Sequence, residues 1–598
     1  MLMRMNKTTM ALSAVAVMTT ATNVLADGML KEWPAVLAKM PADTRLAVMG
    51  KSFAEQDHDW GQFVAAVELG AMGVPNPSDM LAGMGPAMQH IDHNAPIGMA
   101  MVSGPLDEGK PPMLMFVPVS NYQGLADALS TGVEDGLHMI DFGNGEQWYG
   151  KQSGKYAVLG LDQEIVSGYT GNKNAMAKFS RIAGPSAAQI ARDSDWALIV
   201  DFEGLDEVVN PLLDQAEVAF NEQLEMAQAM GMGGNLEQAE MMMALYREAV
   251  EIVMEDGQCL VVGASAGAKG FRIDSNMSWR LDTTLGNMFK GGNDARDLLS
   301  RCNNSPYLLA ISMDMKGFDI GGFMDTIMAR LPEELQNIQS LQSSPAVKAM
   351  MEQADGSAMV IYPSPAGVLG GAALSGLATV YTGDAAKLRG SMKSMFTDMN
   401  GTEQNGVSFT SEYGENAAEI EGVSVDTYSM QMKFPPEMAQ AGQAMGMMYG
   451  PGGMRGYIVP TEGGIIMTAS RNKVLVRKML AAQGNDNNGL AGDAGINAVN
   501  EMLPGNAAFR AYFSLGTLAQ WVGPMAAMVM PGLDLSAMND LPPIAMAASV
   551  EANSVRKTLV VPAPLIRAGI NVAMQAQAAQ MGMGGGGGGD EEEEPPLF

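Results

Sequence analysis

Thr44-Arg-Leu-Ala-Val-Met49 and Pro306-Tyr-Leu-Leu-Ala-Ile-Ser312 decide the fold, because each is a short apolar run of strand character and the second repeats the first. Leu46-Ala47 recurs as Leu309-Ala310, Trp60 as Phe323 and Leu125 as Leu388, each pair 263 residues apart. Further along, Tyr156 in Gly154-Lys-Tyr-Ala-Val-Leu-Gly-Leu161 matches Ile465 in Gly463-Gly-Ile-Ile-Met-Thr-Ala469, and Ile165 matches Val474, now 309 apart. Asp195 and Phe202 then meet Asn506 and Phe513 at an offset of 311. An offset that changes only by loop-sized insertions is the pattern left by tandem duplication of a domain.

Between these anchors the first copy reads as strand 45–49, helix 54–70, strands 96–103 and 113–119, helix 122–132, strands 146–150 and 155–161, helix 163–170 and strand 195–202. A long helical pair, 205–230 and 235–256, follows and is broken by Gly231-Met-Gly-Gly234. A hairpin closes each copy. Cys259-Leu-Val-Val-Gly263 leads to Gly270-Phe-Arg-Ile-Asp274 in the first, and Ile544-Ala-Met-Ala-Ala548 leads to Val555-Arg-Lys-Thr-Leu559 in the second, 284 residues later. Hairpin-linked strands with helices between them predict an α+β fold: two tandem, internally duplicated domains of antiparallel-dominated sheet covered by helices. The expected division is a signal peptide over 1–26, a lead-in over 27–40 with Trp33-Pro34 packed on the body, a first copy over 41–290, a linker over 291–303, a second copy over 304–575, and a Gly-rich acidic disordered tail over 576–598.

The N-terminus has the form of an export signal: Arg4 and Lys7, a short apolar region over Ala11–Ala21, then Val24-Leu25-Ala26. This predicts a periplasmic or extracellular protein beginning at Asp27. No later run reaches the roughly 18 apolar residues that span a membrane, so no transmembrane anchor is expected in the mature chain. The formal charge of -30 repels phosphate backbones and anionic surfaces, which argues against a nucleic-acid partner. Two cysteines, Cys259 and Cys302, form a possible disulfide in an oxidising compartment.

Three features carry candidate chemistry. Gly263-Ala-Ser265-Ala-Gly267 matches the nucleophile elbow of hydrolases, yet all four histidines (His58, His90, His93 and His138) precede Ser265, and a second strand follows where an elbow opens into a helix. His58, His90 and His93, with Asp57, Asp59 and Asp92 nearby, supply the residue types of a divalent metal site. At the matching second-copy positions stand Gly321, Gln353 and Gly356, so such a site would belong to the first copy alone. Methionine occurs 55 times, in clusters such as Glu240-Met-Met-Met243, Met445-Gly-Met-Met448 and Met581-Gly-Met583. Thioethers fill irregular cores, make pliable apolar faces, or select copper(I).

Met40-Pro41-Ala42-Asp43-Thr44, placed just after an export signal and followed by repeated strand-helix units, resembles a poorly characterised family of secreted bacterial proteins common in planctomycete-type genomes. The resemblance implies export and duplicated α+β domains, and no activity or catalytic residue. The reading that results is an exported, non-enzymatic binding or scaffold protein without a cofactor, its partner an envelope component, a peptide or a lipid. A metal-dependent hydrolase using the first-copy histidines, and a methionine-rich copper-handling protein, are the alternatives.

Overall fold

A computed structural model describes residues 33–583 apart from 104–111, 143–145, 172–173, 205–213, 215–217, 221–235, 293, 332–344, 365–372, 405, 451, 484–487 and 530–533. The chain is α+β, and among the described residues 21 strands form one continuous sheet. In the first part run β1 (Thr44–Ser52), β2 (Pro96–Val102), β3 (Met113–Pro118), β4 (Ser130–Glu134), β5 (Leu137–Asp141), β6 (Gln147–Ser153), β7 (Tyr156–Gly160), β8 (Trp196–Asp201), β9 (Gly257–Gly267) and β10 (Gly270–Trp279). In the second run β11 (Leu309–Asp314), β12 (Ala354–Ile361), β13 (Leu377–Gly383), β14 (Glu403–Gln404), β15 (Val407–Ile420), β16 (Val423–Lys433), β17 (Met454–Thr461), β18 (Gly464–Thr468), β19 (Phe509–Phe513), β20 (Ile544–Glu551) and β21 (Ser554–Pro562).

Every pairing is antiparallel. One arm is ordered β4-β5-β6-β7-β3-β2-β1-β8-β9-β10. The other is ordered β14-β15-β16-β17-β18-β13-β12-β11-β19-β20-β21. The arms meet where β10 pairs with β21 from Gly270 opposite Pro562 to Ser278 opposite Ser554. The two expected sheets are therefore joined edge to edge, which removes the inner edge strand of each.

Both faces of the sheet are covered, because adjacent residues of a strand point to opposite sides. In β7, Val158 joins a core with Ala47, Phe116, Phe179 and Ile199, while Leu159 joins another with Phe53, Leu125 and Ile140. In β18, Ile466 and Ile465 divide in the same way between two further cores. The lead-in belongs to the first of these cores, with Val36 and Leu37 fully buried and Trp33 beside them. The stretch read as a linker carries structure of its own. Residues Ala295–Arg301 form a 3-10 helix that buries Ala295 and Leu299, and Leu299 and Cys302 enter a core of the second arm.

Local chemistry sets the helix starts. Ser52 and Glu55 form a reciprocal capping box at helix α1 (Phe53–Ala66). Asn121 caps α2 (Tyr122–Leu129), and Asp384 caps α3 (Ala385–Met399). Leu125 and Leu388, paired by the sequence, lie in α2 and α3 at the same distance from these caps, and both are buried. Other expected pairs shift by a residue or two. Phe513 lies opposite Leu309 as Val200 lies opposite Leu46, so Phe513 holds the position of Val200 and not that of Phe202. Asp162 and Asn472 cap helices in which Val166 and Val476 are fully buried, so Val474, which is exposed, is not the counterpart of Ile165.

The first helix ends at Ala66 rather than at residue 70, and the expected helix 122–132 stops at Leu129, where β4 begins. Of the long helical pair, the second member is the helix Leu236–Asp256, and most of 205–230 lies outside the described residues, as does the tail beyond Met583. The final helix, α4 (Ala563–Met583), crosses back to the first arm. Its Ala563, Ile566 and Ile570 pack against Phe63 and Val67, and Arg567 meets Glu68 at 2.8 Å. No described helix is long and apolar enough to cross a membrane.

Candidate binding seam between the arms

The junction of β10 and β21 is polar where the arms on either side are apolar. On one face of β10 the alternating residues are Arg272, Asp274, Asn276 and Ser278. Opposite the last three stand Thr558, Arg556 and Ser554 of β21, and the next strand, β20, adds Ser549 and Glu551. Helix Ala187–Asp193 brings Ser186, just before its first turn, to the same place.

Asp274 is the hub. Arg272 contacts it through Nε and through Nη2 at 2.9 Å, Thr558 Oγ1 donates at 2.6 Å, and Arg556 Nη2 reaches it at 3.3 Å. Burial works against its charge, but the hydrogen bonds from Arg272 and Thr558 and the two guanidinium charges outweigh that cost and hold its carboxyl below the usual range. Glu551 is the second carboxylate. It accepts from Asn276 Nδ2 and Ser554 Oγ, both at 3.1 Å, and from the Ser186 hydroxyl. The space beside Gly184 is closed, since a Cβ there would sit 2.3 Å from Asn276 Oδ1 and from Ser554 Oγ.

Among the described residues, three buried polar atoms at this junction have no hydrogen-bond partner: Asn276 Oδ1, Arg556 Nε and Ser549 Oγ. They lie in register across β10, β21 and β20, because Asn276 is opposite Arg556 and Arg556 is opposite Ser549. Asn276 is 1% exposed and Ser549 8%. An unpaired buried polar group costs about 1–3 kcal/mol.

The histidines singled out in the sequence as metal ligands lie elsewhere. His58 stands on α1 with Gln62 at 2.8 Å, His93 packs its ring against Phe53 at 5.9 Å, and His90 lies beside Gly124. The carboxylates near them have other partners: Asp57 accepts from the Ser78 amide, Asp59 pairs with Lys51, and Asp92 accepts from the Asn94 amide. Among the described residues, no three His, Cys, Asp or Glu side chains are grouped to hold a metal ion.

The possible disulfide between Cys259 and Cys302 is corrected. Both are free thiols, and each is buried in the core of a different arm. Burial pushes the Cys302 thiol up to about 12 and raises that of Cys259 as well, so neither is a thiolate at neutral pH. Ser265 lies within β9 opposite Arg272, and the glycines around it belong to a β-hairpin with no helix after it. The methionines are distributed between core and surface. Met40, Met49, Met392 and Met479 are buried, whereas Met525, Met528 and Met574 are exposed.

The seam was not found by reading the sequence, because no motif marks it. Its one visible trace is the polar alternation Arg272-Ile-Asp-Ser-Asn-Met-Ser278 in a strand otherwise expected to be core. No protein-family model, no curated protein and no solved structure matches the chain.

Proposed function

We propose that this is an exported, non-enzymatic binding protein that arose by tandem duplication, and that its working site is the polar seam between the two arms. Duplication is supported by the common strand order of the arms, β14 aside. It is also supported by the pairing of Asp274 with Thr558, which are separated by the 284 residues that relate the two closing hairpins. A position that pairs with its own counterpart is where a twofold axis relating two copies would pass. Export is supported by the N-terminal sequence alone.

The observation that carries the binding reading is the in-register trio of unpartnered atoms on Asn276, Arg556 and Ser549. Small ligands bind preferentially at junctions of this kind, held by a few convergent polar groups. The guest presents acceptors to Arg556 and Ser549 and a donor to Asn276. Native mass spectrometry of the protein purified from its own host tests this. A small polar adduct that is lost in Ser549→Ala and in Arg556→Lys supports the reading, and a bare chain mass overturns it. Metal analysis of the same sample separates the alternatives: stoichiometric zinc that disappears in His90→Ala favours the hydrolase, and copper(I) that survives that substitution favours copper handling.

A further inference from the structure

The exposed methionines of the second arm gather at one end of the sheet. Phe513, the last residue of β19, stands opposite Leu309 and Ile544, the first residues of β11 and β20, and Val560 near the end of β21 stands opposite Ala545. The helix Leu515–Val529, which follows β19, and α4, which follows β21, therefore leave the sheet from the same end. Both pack against the 3-10 turn Ser536–Met538, and the Asp534 amide donates to Gln575 Oε1 of α4 at 3.3 Å. Met528 is 77% exposed, Met574 46% and Met525 36%. The helix Ala439–Tyr449, which leads into β17, arrives at this end too, and its Met447 is 65% exposed.

These three helices hold one charged residue, Arg567, whereas 17% of the chain is charged. Arg567 is itself engaged by Glu68. A surface helix ordinarily turns a charged face to water, so uncharged helices with large apolar side chains in water mark a contact surface. Thioether side chains are flexible and polarisable, and they repack against apolar groups of varied shape.

Charge selects the partner. Asp534 and Asp540 flank Ser536–Met538, and both are exposed. No lysine or arginine occurs between Arg510 and Arg556 in the sequence, and α4 leads on to Asp590-Glu-Glu-Glu-Glu594. A second copy brings the same formal charge of -30 and is repelled, as is an anionic membrane. We propose that the methionine-lined surface of helix Leu515–Val529 and α4 docks a basic amphipathic helix of another polypeptide. Its apolar face lies on Met525, Met528 and Met574, and its Lys and Arg side chains turn toward Asp534 and Asp540. The proposal does not rest on the seam.

The probe is a fluorescently labelled peptide of about 14 residues, roughly four helical turns, built only of leucine and lysine with leucine along one face. Fluorescence anisotropy with the purified protein is expected to show saturable 1:1 binding that weakens as salt rises, and the same pattern with glutamate in place of lysine should not bind. Covering one methionine side chain corresponds to about a tenfold rise in Kd when it is lost, expected separately for Met528→Gln and for Met574→Gln, with the melting temperature kept. Arg556→Lys should leave the Kd unchanged, so failure of the seam reading and failure of this one are distinguishable. Absence of saturable peptide binding overturns the proposal, and so does an unchanged Kd in both methionine variants, which would place the peptide elsewhere on the acidic surface. Equal binding of the glutamate peptide overturns the charge argument and the proposal with it. Flotation with phosphatidylcholine vesicles, or a dimer in sedimentation, that Met528→Gln abolishes would assign the surface to lipid or to a second copy instead.

Discussion

Replacing Asp274 by Asn removes the negative charge at the centre of the seam and keeps the shape of the side chain. Two guanidiniums, Arg272 and Arg556, then face each other across β10 and β21 without their shared carboxylate, while Thr558 retains a partner. Breaking a buried ion pair from one side costs about 3–5 kcal/mol. Arg272 is 32% exposed at its side chain and can turn to water, which places the expected loss near the lower end, at about 3 kcal/mol. The loss is local to the junction, so the assay is hydrogen exchange of peptides covering β10 and β21. An opening free energy lower by about 3 kcal/mol accelerates exchange by about two orders of magnitude where opening is local.

The pH dependence supplies an independent check. Asp274 has a folded-state pKa below its unfolded value, so its contribution is fully present above the unfolded carboxylate pKa of about 3.9 and is lost as pH falls through the lower folded value. The difference in protection between wild type and Asp274→Asn should therefore be constant above about pH 5 and shrink below about pH 4. Seam exchange accelerated less than fivefold at pH 7, or a difference that grows on acidification, would refute the account of Asp274 as the hub.

Three further outcomes follow from the same physical reasoning. Gly184→Ala forces a Cβ against Asn276 and Ser554 and should destabilise by about 1–3 kcal/mol, seen as a lower melting temperature, whereas Gly168→Ala, where nothing lies within 4 Å, should be close to neutral. Leu125→Ala and Leu388→Ala each delete a fully buried side chain and should each cost about 2–5 kcal/mol in urea unfolding, with unequal values meaning unequal collapse around the two cavities. Cys259 and Cys302 should resist a thiol reagent in the folded protein and both react after denaturation without reductant; two unreactive sulfurs in the denatured chain would mean that they are bonded.

Much of the fold was legible because its signals are local. Short apolar runs bounded by Gly, Pro and Asp mark β1, β2, β3 and β7, and apolar residues at three- and four-residue spacing mark the helices. The hairpin β4–β5 was hidden because Ser130–Glu134 is polar and largely exposed, so it has neither strand-like alternation nor an apolar run. The helix Ala295–Arg301 was not legible because its charged residues mask two buried apolar positions. The histidines drew attention by residue type, but type carries no distance, and in the fold His58, His90 and His93 each engage a different neighbour.

The sequence alone determined the mixture of helices and strands, the spacing of the recurrent elements and the acidic character of the chain, because propensity, periodicity and charge are properties of short segments. Tertiary structure decided that the two expected sheets are one, that the two thiols lie in separate cores, and that Asn276, Arg556 and Ser549 are neighbours. Those three residues lie on β10, β21 and β20, and only the antiparallel register of strands brought together from distant parts of the chain makes them neighbours.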